Sequence, residues 1–120
     1  GATKAALNRY TEGLAHEVAG EGVWVNSLAP ESIVLTPGAE QVRDIARRHP
    51  DMAEPVEVMA EAALLLCTGR YVGQIGYSRR LLHANGQDVY SLDGSTRLGD
   101  ALMPAEIDAD RNTTDKESEQ

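Results

Sequence analysis

The sequence predicts an α/β fold in which helices alternate with short apolar strands of a parallel sheet. Helical periodicity and strand-like apolar runs alternate along residues 1–84. The two strand-like runs are joined by a segment long enough for two helices, and such crossovers form right-handed parallel units in about 98% of cases. Because two parallel strands alone leave both sheet edges open, we expect further strands beside them. The predicted order is helix–strand–helix–helix–strand, as in the C-terminal part of a doubly wound parallel sheet.

The first helix is predicted over residues 2–19, where apolar residues recur at spacings of three and four. Gly20 and Gly22 follow it, as glycines commonly follow the end of a helix. Residues 23–29 are almost continuously apolar, which is typical of a parallel strand covered on both faces. The helical stripe consists of Leu7, Tyr10, Leu14 and Val18.

A second helix is predicted to begin at Thr36-Pro37, with Thr36 as N-cap and the proline in the first turn, and to end at Pro50. Its basic residues could bind an acidic substrate, or they could form a solvated basic face. We take the solvated face as the simpler interpretation, and we expect His16 on the first helix to be exposed as well. The basic residues of the second helix are Arg43, Arg47, Arg48 and His49.

The third helix is predicted over residues 55–68, with Gly69 as its C-cap. Alanine and leucine occur nearly all round this helix, so we expect deep burial, with Cys67 as a core thiol. The last strand is predicted over residues 74–84 and ends at an Asn-Gly turn. Within it, Arg79-Arg80 interrupts the apolar pattern and indicates a sheet edge or an interface.

Composition limits the classes of function. The 120 residues are 42% hydrophobic and 25% charged, which fits one ordinary domain or part of a larger one. A net charge of −8 argues against nucleic acid, and no apolar run approaches the roughly 20 residues of a membrane span. The single cysteine cannot form an internal disulfide and suits a reducing cytoplasm, where we expect the protein. No basic and apolar leader opens the chain, and we predict no metal site.

Residues 1–99 are predicted to form the α/β unit, and residues 100–120 an acidic tail. The tail holds seven acidic and two basic residues and no aromatic residue. Such a segment cannot bury enough apolar surface to offset its ordering entropy. We therefore expect it to be disordered and solvated.

The opening residues carry a resemblance to a known family. Gly-Ala-Thr-Lys-Ala-Ala-Leu at residues 1–7 resembles the segment that follows the catalytic tyrosine in the Tyr-x-x-x-Lys motif of short-chain dehydrogenases/reductases. In that family the motif opens a long helix, and its lysine hydrogen-bonds the nicotinamide ribose and lowers the pKa of the tyrosine. The resemblance makes Lys4 this catalytic and cofactor-binding lysine, with the tyrosine one residue before Gly1. An ammonium beside a phenol favours phenolate, which brings an acid with a pKa of about 10 closer to the operating pH.

A second match lies at residues 26–30, Asn-Ser-Leu-Ala-Pro, which resembles the family's Asn-x-x-x-Pro-Gly at the end of its sixth strand. Ligands bind at such strand ends in open α/β sheets. By this resemblance Asn26 is a structural residue at the site and Pro30 a cofactor-binding one. Ile33 falls where the family's Ile or Val contacts the nicotinamide carboxamide through its backbone. Thr36 corresponds to the family's cofactor-binding threonine, one position late.

Further matches and departures follow. Residues 54–64 resemble the family's penultimate helix, and residues 71–74 resemble the Thr-Gly-Gln that leads into its final strand. The family usually continues into Val-Asp-Gly-Gly, whereas this chain continues into Ile75-Gly-Tyr-Ser-Arg-Arg. Glu31 stands where the family usually has glycine. A carboxylate there would repel a pyrophosphate unless it points outward.

The resemblance, which covers residues 1–84, implies a Rossmann-like fold and an NAD(P)-dependent oxidoreductase that transfers hydride between the nicotinamide and a carbonyl or alcohol. The implied cofactor is NAD or NADP. The phosphate loop, active-site serine and tyrosine would belong to an upstream half, so we expect no activity from these 120 residues alone. The expected partners are a small carbonyl or alcohol substrate and either a second copy or the missing half. Two alternatives remain: a non-catalytic interaction or oligomerisation module of the same fold, and another doubly wound enzyme such as a methyltransferase.

Overall fold

The computed structural model describes residues 1–34, 36–38, 40–49 and 52–100. Within these residues the chain is mixed α/β, with short strands between four helices. Spanning a bilayer takes about 20 apolar residues, and none of the described helices meets that need. In chain order the elements are α1 (Ala2–Glu17), β1 (Ser27–Ala29), β2 (Ile33–Val34), α2 (Glu40–Arg48), β3 (Ala53–Glu54), α3 (Val56–Leu66), β4 (Ile75–Tyr77), α4 (Ser78–Ala84), β5 (Val89–Tyr90) and β6 (Arg97–Gly99).

The two predicted strands pair in parallel, as expected. Ser27 of β1 lies opposite Ile75 of β4, and Ala29 lies opposite Tyr77. A second parallel pair joins β2 to β3, and an antiparallel pair joins β5 to β6. Each of these sheets has two strands among the described residues. The α/β class with parallel pairing is therefore confirmed, while the larger doubly wound sheet stays a prediction.

Helix α1 contacts the β1–β4 sheet through small side chains. Thr11 and Ala15 are buried, whereas Leu7 and Tyr10 of the predicted apolar stripe are 51% and 67% exposed. The Thr11 hydroxyl donates a hydrogen bond of 2.9 Å to the backbone oxygen of Leu7, so burial leaves no unmet donor there. Leu7 and Tyr10 are thus not covered by the sheet, whereas Leu14 of the same stripe is half-buried.

The hydrophobic core lies where α3 packs against α4 and the start of the β5–β6 hairpin. Burial of each valine or leucine side chain in this core contributes about 1.5–3 kcal/mol. Leu28 of β1 and Tyr71 pack against the edge of this cluster. Its members are Val58, Ala62, Leu65, Leu66, Leu81, Leu82 and Val89.

Helix α3 is buried on one face, not all round. Leu64 is 64% exposed, and Cys67 is exposed too, so the prediction of a core thiol is wrong. The reason is geometric: α4, β1 and β5 contact the side of α3 that carries Ala62 and Leu65. A helix needs neighbours on every side to bury an all-apolar surface.

The predicted strand over residues 74–84 is wrong beyond Tyr77, where the chain turns into α4. Ser78, Leu81 and Leu82 are buried. Their spacing of three and four suits one face of a helix, whereas a strand would put Leu81 and Leu82 on opposite faces. Arginine, leucine and alanine also favour helix.

Other boundaries differ from the sequence prediction. Residues 23–26 lie outside β1, which covers three residues. Helix α2 begins at Glu40 and not at Thr36-Pro37, so Thr36 is not its N-cap. The predicted helix end at Pro50 and the tail over residues 101–120 lie outside the described residues.

Candidate functional site

The carboxyl ends of β1 and β4 lie side by side. Because the strands are parallel and in register, Ala29 and Tyr77 end them at the same edge. The chain leaves this edge at Pro30 after β1 and at Ser78 after β4. In open α/β sheets ligands bind outside the carboxyl ends of the strands, so this edge is the candidate site.

Helix α1 runs antiparallel to the strands and begins near this edge. Ser27 in β1 donates a side-chain hydrogen bond of 3.0 Å to Asn8. Seven residues later, Ala15 lies against Gly73, which precedes β4: a Cβ added to Gly73 would be 3.4 Å from the Ala15 Cβ. Lys4 precedes Asn8 by one turn, about 6 Å along the helix axis. It therefore lies toward the strand carboxyl ends, with an exposed side chain.

Asn26 has a structural position, at the other end of β1. Its amide nitrogen donates to the backbone oxygen of Tyr71 at 3.0 Å and to that of Leu66 at 3.5 Å. Its amide oxygen accepts from the backbone N–H of Gln74 at 2.9 Å. These bonds tie the entry of β1 to the segment between α3 and β4. Four residues of strand span about 13 Å, so Asn26 and Pro30 are not brought together.

The segment after β1 carries the other residues that the family resemblance selected. Pro30 is exposed directly after the strand, and Ile33 is half-buried in β2, paired with Ala53. Thr36 is exposed, and its backbone N–H donates to the oxygen of Val34 at 3.1 Å. Pro30 and Ile33 thus follow the carboxyl end of β1, and Thr36 lies beyond β2.

A buried polar cluster at the same edge was missed by the sequence reasoning. Glu54 and Ser78 are fully buried, and Arg79 is 5% exposed. The Ser78 hydroxyl donates to the Glu54 carboxylate, and the Arg79 guanidinium donates to the Ser32 hydroxyl. Arg79 Nε lies 4.0 Å from Glu54 Oε1. The sequence held one signal: the adjacent Arg79 and Arg80 fall inside the predicted strand over residues 74–84, and charged residues are rarely buried in an apolar sheet.

Glu31 reaches the first turn of α4. Its Oε1 accepts a 2.9 Å hydrogen bond from the backbone N–H of Arg80, and its Oε2 lies 3.3 Å from Arg80 Nε. Tyr77, the residue that precedes α4, provides no side-chain cap. Glu31 therefore caps this helix from 49 residues away, and a carboxylate is favoured at that end of the helix dipole.

A cavity of about 380 Å³ opens beside β4 and α4. Tyr77 and Arg80 lie on its wall, with the Arg80 guanidinium 5.3 Å from the Tyr77 ring centroid. A cation over an aromatic ring is a modest attraction at an exposed site. The wall also includes Gly76. The cavity offers a planar ring and a cationic donor to a small ligand.

The basic residues of α2 and the helix residue His16 are exposed. Arg47 makes an ion pair with Asp44, at 3.8 Å between Nη1 and Oδ1. Exposed pairs of this kind contribute little to stability. Among the described residues, no three His, Cys, Asp or Glu side chains are grouped so that they could hold a metal ion.

No family model, curated protein or solved structure matches this chain.

Proposed function

We propose that this chain is the C-terminal part of an NAD(P)-dependent oxidoreductase of the short-chain dehydrogenase/reductase family, with a Rossmann-like fold. The observation that supports this most is the direction of α1. Its antiparallel course brings Lys4 toward the carboxyl ends of β1 and β4, at the edge where Pro30 and Ile33 follow β1. The family motif requires a lysine at that edge.

Each residue then has a chemical role. NAD or NADP would supply the hydride that adds to a carbonyl carbon, or would accept one from an alcohol. The Lys4 ammonium would donate hydrogen bonds to ribose hydroxyls and lower the pKa of an upstream tyrosine. In reduction the tyrosine phenol would donate a proton to the carbonyl oxygen, and in oxidation its phenolate would accept the proton of the alcohol. Pro30 and Ile33 would flank the nicotinamide, and Asn26 would support β1 from its other end. Thr36 would contact the cofactor beyond Ile33.

The described residues fit a dinucleotide at this edge. A carboxylate facing the pyrophosphate would oppose binding, and the glutamate after Pro30 raised that concern. Glu31 is instead turned toward α4, where Arg80 and a backbone N–H neutralise it. The exposed Lys4 is available to donate.

The proposal includes an upstream half that carries the glycine-rich phosphate loop, the active-site serine and the tyrosine. Leu7 and Tyr10 on α1 and Leu64 on α3 are exposed, at 51%, 67% and 64%. Large apolar side chains that are more than half exposed favour a protein partner that covers them. That partner would be the upstream half or a second copy. We further propose that the protein is cytoplasmic, because its single cysteine suits a reducing compartment. We also propose that it binds no nucleic acid, because its net charge is −8.

The test compares the 120-residue chain with the same chain joined to its upstream half. Nicotinamide absorbance is followed with NADH and NADPH against a panel of small aldehydes and ketones, and with NAD and NADP against alcohols. The joined protein should turn over one cofactor, and the 120-residue chain should turn over neither. Turnover by the chain alone, or no cofactor binding by the joined protein, would contradict the proposal.

The exposed apolar residues also support a second candidate, a non-catalytic interaction module. Tyr10 on α1 is the most exposed of them on that helix. Under this alternative the joined protein forms a stable oligomer but binds no nicotinamide cofactor. Sedimentation together with cofactor titration separates the two candidates.

A further inference from the structure

The first turn of α4 is fastened to the segment that leaves β1. Two adjacent arginines make the connection: Arg79 reaches Ser32, and Arg80 reaches Glu31. The fastening joins elements 47 and 49 residues apart, so it is a tertiary contact and not a local turn. We call it the α4 clamp, and its members are Glu31, Ser32, Glu54, Ser78, Arg79 and Arg80.

The inner half of the α4 clamp is desolvated. Glu54 is fully buried and Arg79 is 5% exposed. Arg79 Nε lies 4.0 Å from Glu54 Oε1. Ser78 donates to the same carboxylate. Buried charges are tolerated when they are paired and hydrogen-bonded, and such networks allow few alternative arrangements. The inner half therefore gives Ser32 a defined position relative to β3 and α4.

The outer half is accessible. The Arg80 side chain is 76% exposed, whereas that of Glu31 is 18% exposed. Glu31 is nevertheless bound at two points, by the backbone N–H and by the guanidinium of Arg80. Its removal should loosen the segment without unfolding the chain, because the loss of one helix cap typically costs about 1 kcal/mol.

We propose that Glu31 and Arg79 are positioning residues for the nicotinamide end of the cofactor. This proposal rests on the proposed function. The two clamped residues, Glu31 and Ser32, lie between Pro30 and Ile33 in sequence. The α4 clamp thereby sets where the backbone of residues 30–34 stands relative to the carboxyl ends of β1 and β4. It acts through that backbone and need not touch the cofactor.

The test uses the protein joined to its upstream half and four variants. Glu31→Ala removes the outer half of the α4 clamp, and Glu31→Gln keeps an acceptor for the backbone N–H of Arg80. The matched control is Asp88→Ala, which breaks another exposed ion pair, with Arg97 at 2.8 Å. The inner half is tested by Ser32→Ala, which removes the hydroxyl that accepts from Arg79 and changes the side-chain volume little.

Two measurements separate positioning from general destabilisation. Titrations compare NAD or NADP with ADP-ribose or its 2′-phosphate, which lack the nicotinamide. Amide hydrogen exchange follows residues 31–34. In Glu31→Ala we expect faster exchange there and about fivefold weaker dinucleotide binding, which is the scale of one lost capping interaction. ADP-ribose binding should not change, Glu31→Gln should recover part of the loss, and Asp88→Ala should match the wild type.

Equal weakening of dinucleotide and ADP-ribose binding would overturn the positioning role, and so would unchanged binding of both. Unchanged exchange at residues 31–34 in both Glu31→Ala and Ser32→Ala would overturn the α4 clamp itself. If the wild type binds neither ligand, the proposed function fails and this inference fails with it. The exchange data would still show whether the α4 clamp exists, so the two failures are distinguishable.

Discussion

The Ser27 hydroxyl donates a hydrogen bond of 3.0 Å to the side-chain oxygen of Asn8, which anchors α1 to β1 one helical turn after Lys4. Together with the contact between Ala15 and Gly73, this bond sets the direction of α1 over the sheet. A reversed helix would carry Lys4 to the amino ends of the strands, where open α/β sheets do not bind their ligands. The direction of α1 therefore links the sequence motif to the candidate site.

Replacement of Lys4 tests that link. In the protein joined to its upstream half, Lys4→Ala should weaken cofactor binding and lower turnover, because the ribose hydrogen bonds and the charge that favours phenolate are both lost. If Lys4 lowers the pKa of the tyrosine by about two units, its loss corresponds to roughly 2.7 kcal/mol, or about a hundredfold in rate. Lys4→Arg should keep part of the activity. Steady-state kinetics with the preferred cofactor measures both.

The control for Lys4 is Arg9→Ala on the same helix. Arg9 is exposed and pairs with Glu12 at 3.4 Å. It lies five residues after Lys4, more than one helical turn further from the strand carboxyl ends. Its kinetics should match the wild type. Near-normal turnover in Lys4→Ala would mean that Lys4 is an ordinary surface lysine.

Much of the fold follows from local patterns in the sequence. Helix α1, the core of α3 and the parallel pairing of β1 with β4 were predictable, because periodicity and crossover length determine them. The change from β4 to α4 was not. The apolar pattern of that segment is too short to distinguish a strand from a helix. Tertiary contacts, including the cap that Glu31 provides to α4, favour the helix.

Helix α3 allows a paired test of one-sided burial. Leu65 is 8% exposed and its neighbour Leu64 is 64% exposed. In the 120-residue chain, Leu65→Ala should lower the free energy of unfolding by about 2–5 kcal/mol, since it removes buried methyl groups and leaves a cavity. Leu64→Ala should change it by less than about 0.5 kcal/mol. Urea denaturation measures both, and equal losses would show that α3 is covered on its outer face.

The β5–β6 hairpin contains a carboxylate that should titrate unusually low. Hydrogen bonds from the Ser91 hydroxyl and from the backbone and hydroxyl of Ser95 lower the pKa of Asp93 from 3.8 to about 2. A lowered folded-state pKa stabilises the hairpin at pH values above the unfolded pKa. That contribution should therefore be complete above about pH 4 and should disappear as the pH falls through about 2.

The Asp93 prediction can be separated from other titrations. Asp88 in the same hairpin also has a lowered pKa, through its hydrogen bond with Arg97, so acid lability alone is ambiguous. The difference in urea midpoint between the wild type and Asp93→Asn should shrink as the pH is lowered from about 5 to about 2. The Ser95 amide resonance should titrate with an apparent pKa near 2 in the wild type alone. A midpoint difference that does not change with pH would contradict the assignment.

Short sequence motifs selected some of the residues at the candidate edge, and their roles stay predictions. Lys4 and Pro30 came from short motifs, and contacts of α1 and β1 put both toward one edge. The α4 clamp was not predictable, because Glu54 and Arg79 meet through folding and neither has a polar periodicity that would reveal a buried partner. Asn26 was predicted as a structural residue at the site, and its role there stays a prediction; its amide lies at the amino end of β1. The direction of β1 determines which end of the strand each residue lies at, and sequence spacing alone does not give that direction.

Gly69 should be intolerant of a side chain for two separable reasons. Its φ of +83° is a left-handed conformation that L-residues rarely adopt, and a Cβ there would lie 2.7 Å from Trp24 Cζ2. Gly86 has a φ of +60° with no atom within 4 Å of an added Cβ, so Gly86→Ala reports the backbone strain alone. Gly86→Ala should cost about 1 kcal/mol. Gly69→Ala should cost more than Gly86→Ala, because the half-exposed Trp24 ring must also shift.

A double-mutant cycle isolates the contact between Gly69 and Trp24. If the ring causes the extra cost, Trp24→Leu should reduce the destabilisation by Gly69→Ala to about that of Gly86→Ala, because the bulk that the new methyl group meets is gone. Trp24 is the single tryptophan of the chain, so its emission should shift to the red in Gly69→Ala as the ring moves into solvent. Equal destabilisation by Gly69→Ala and Gly86→Ala, with unchanged emission, would mean that the ring does not rest on Gly69 in solution.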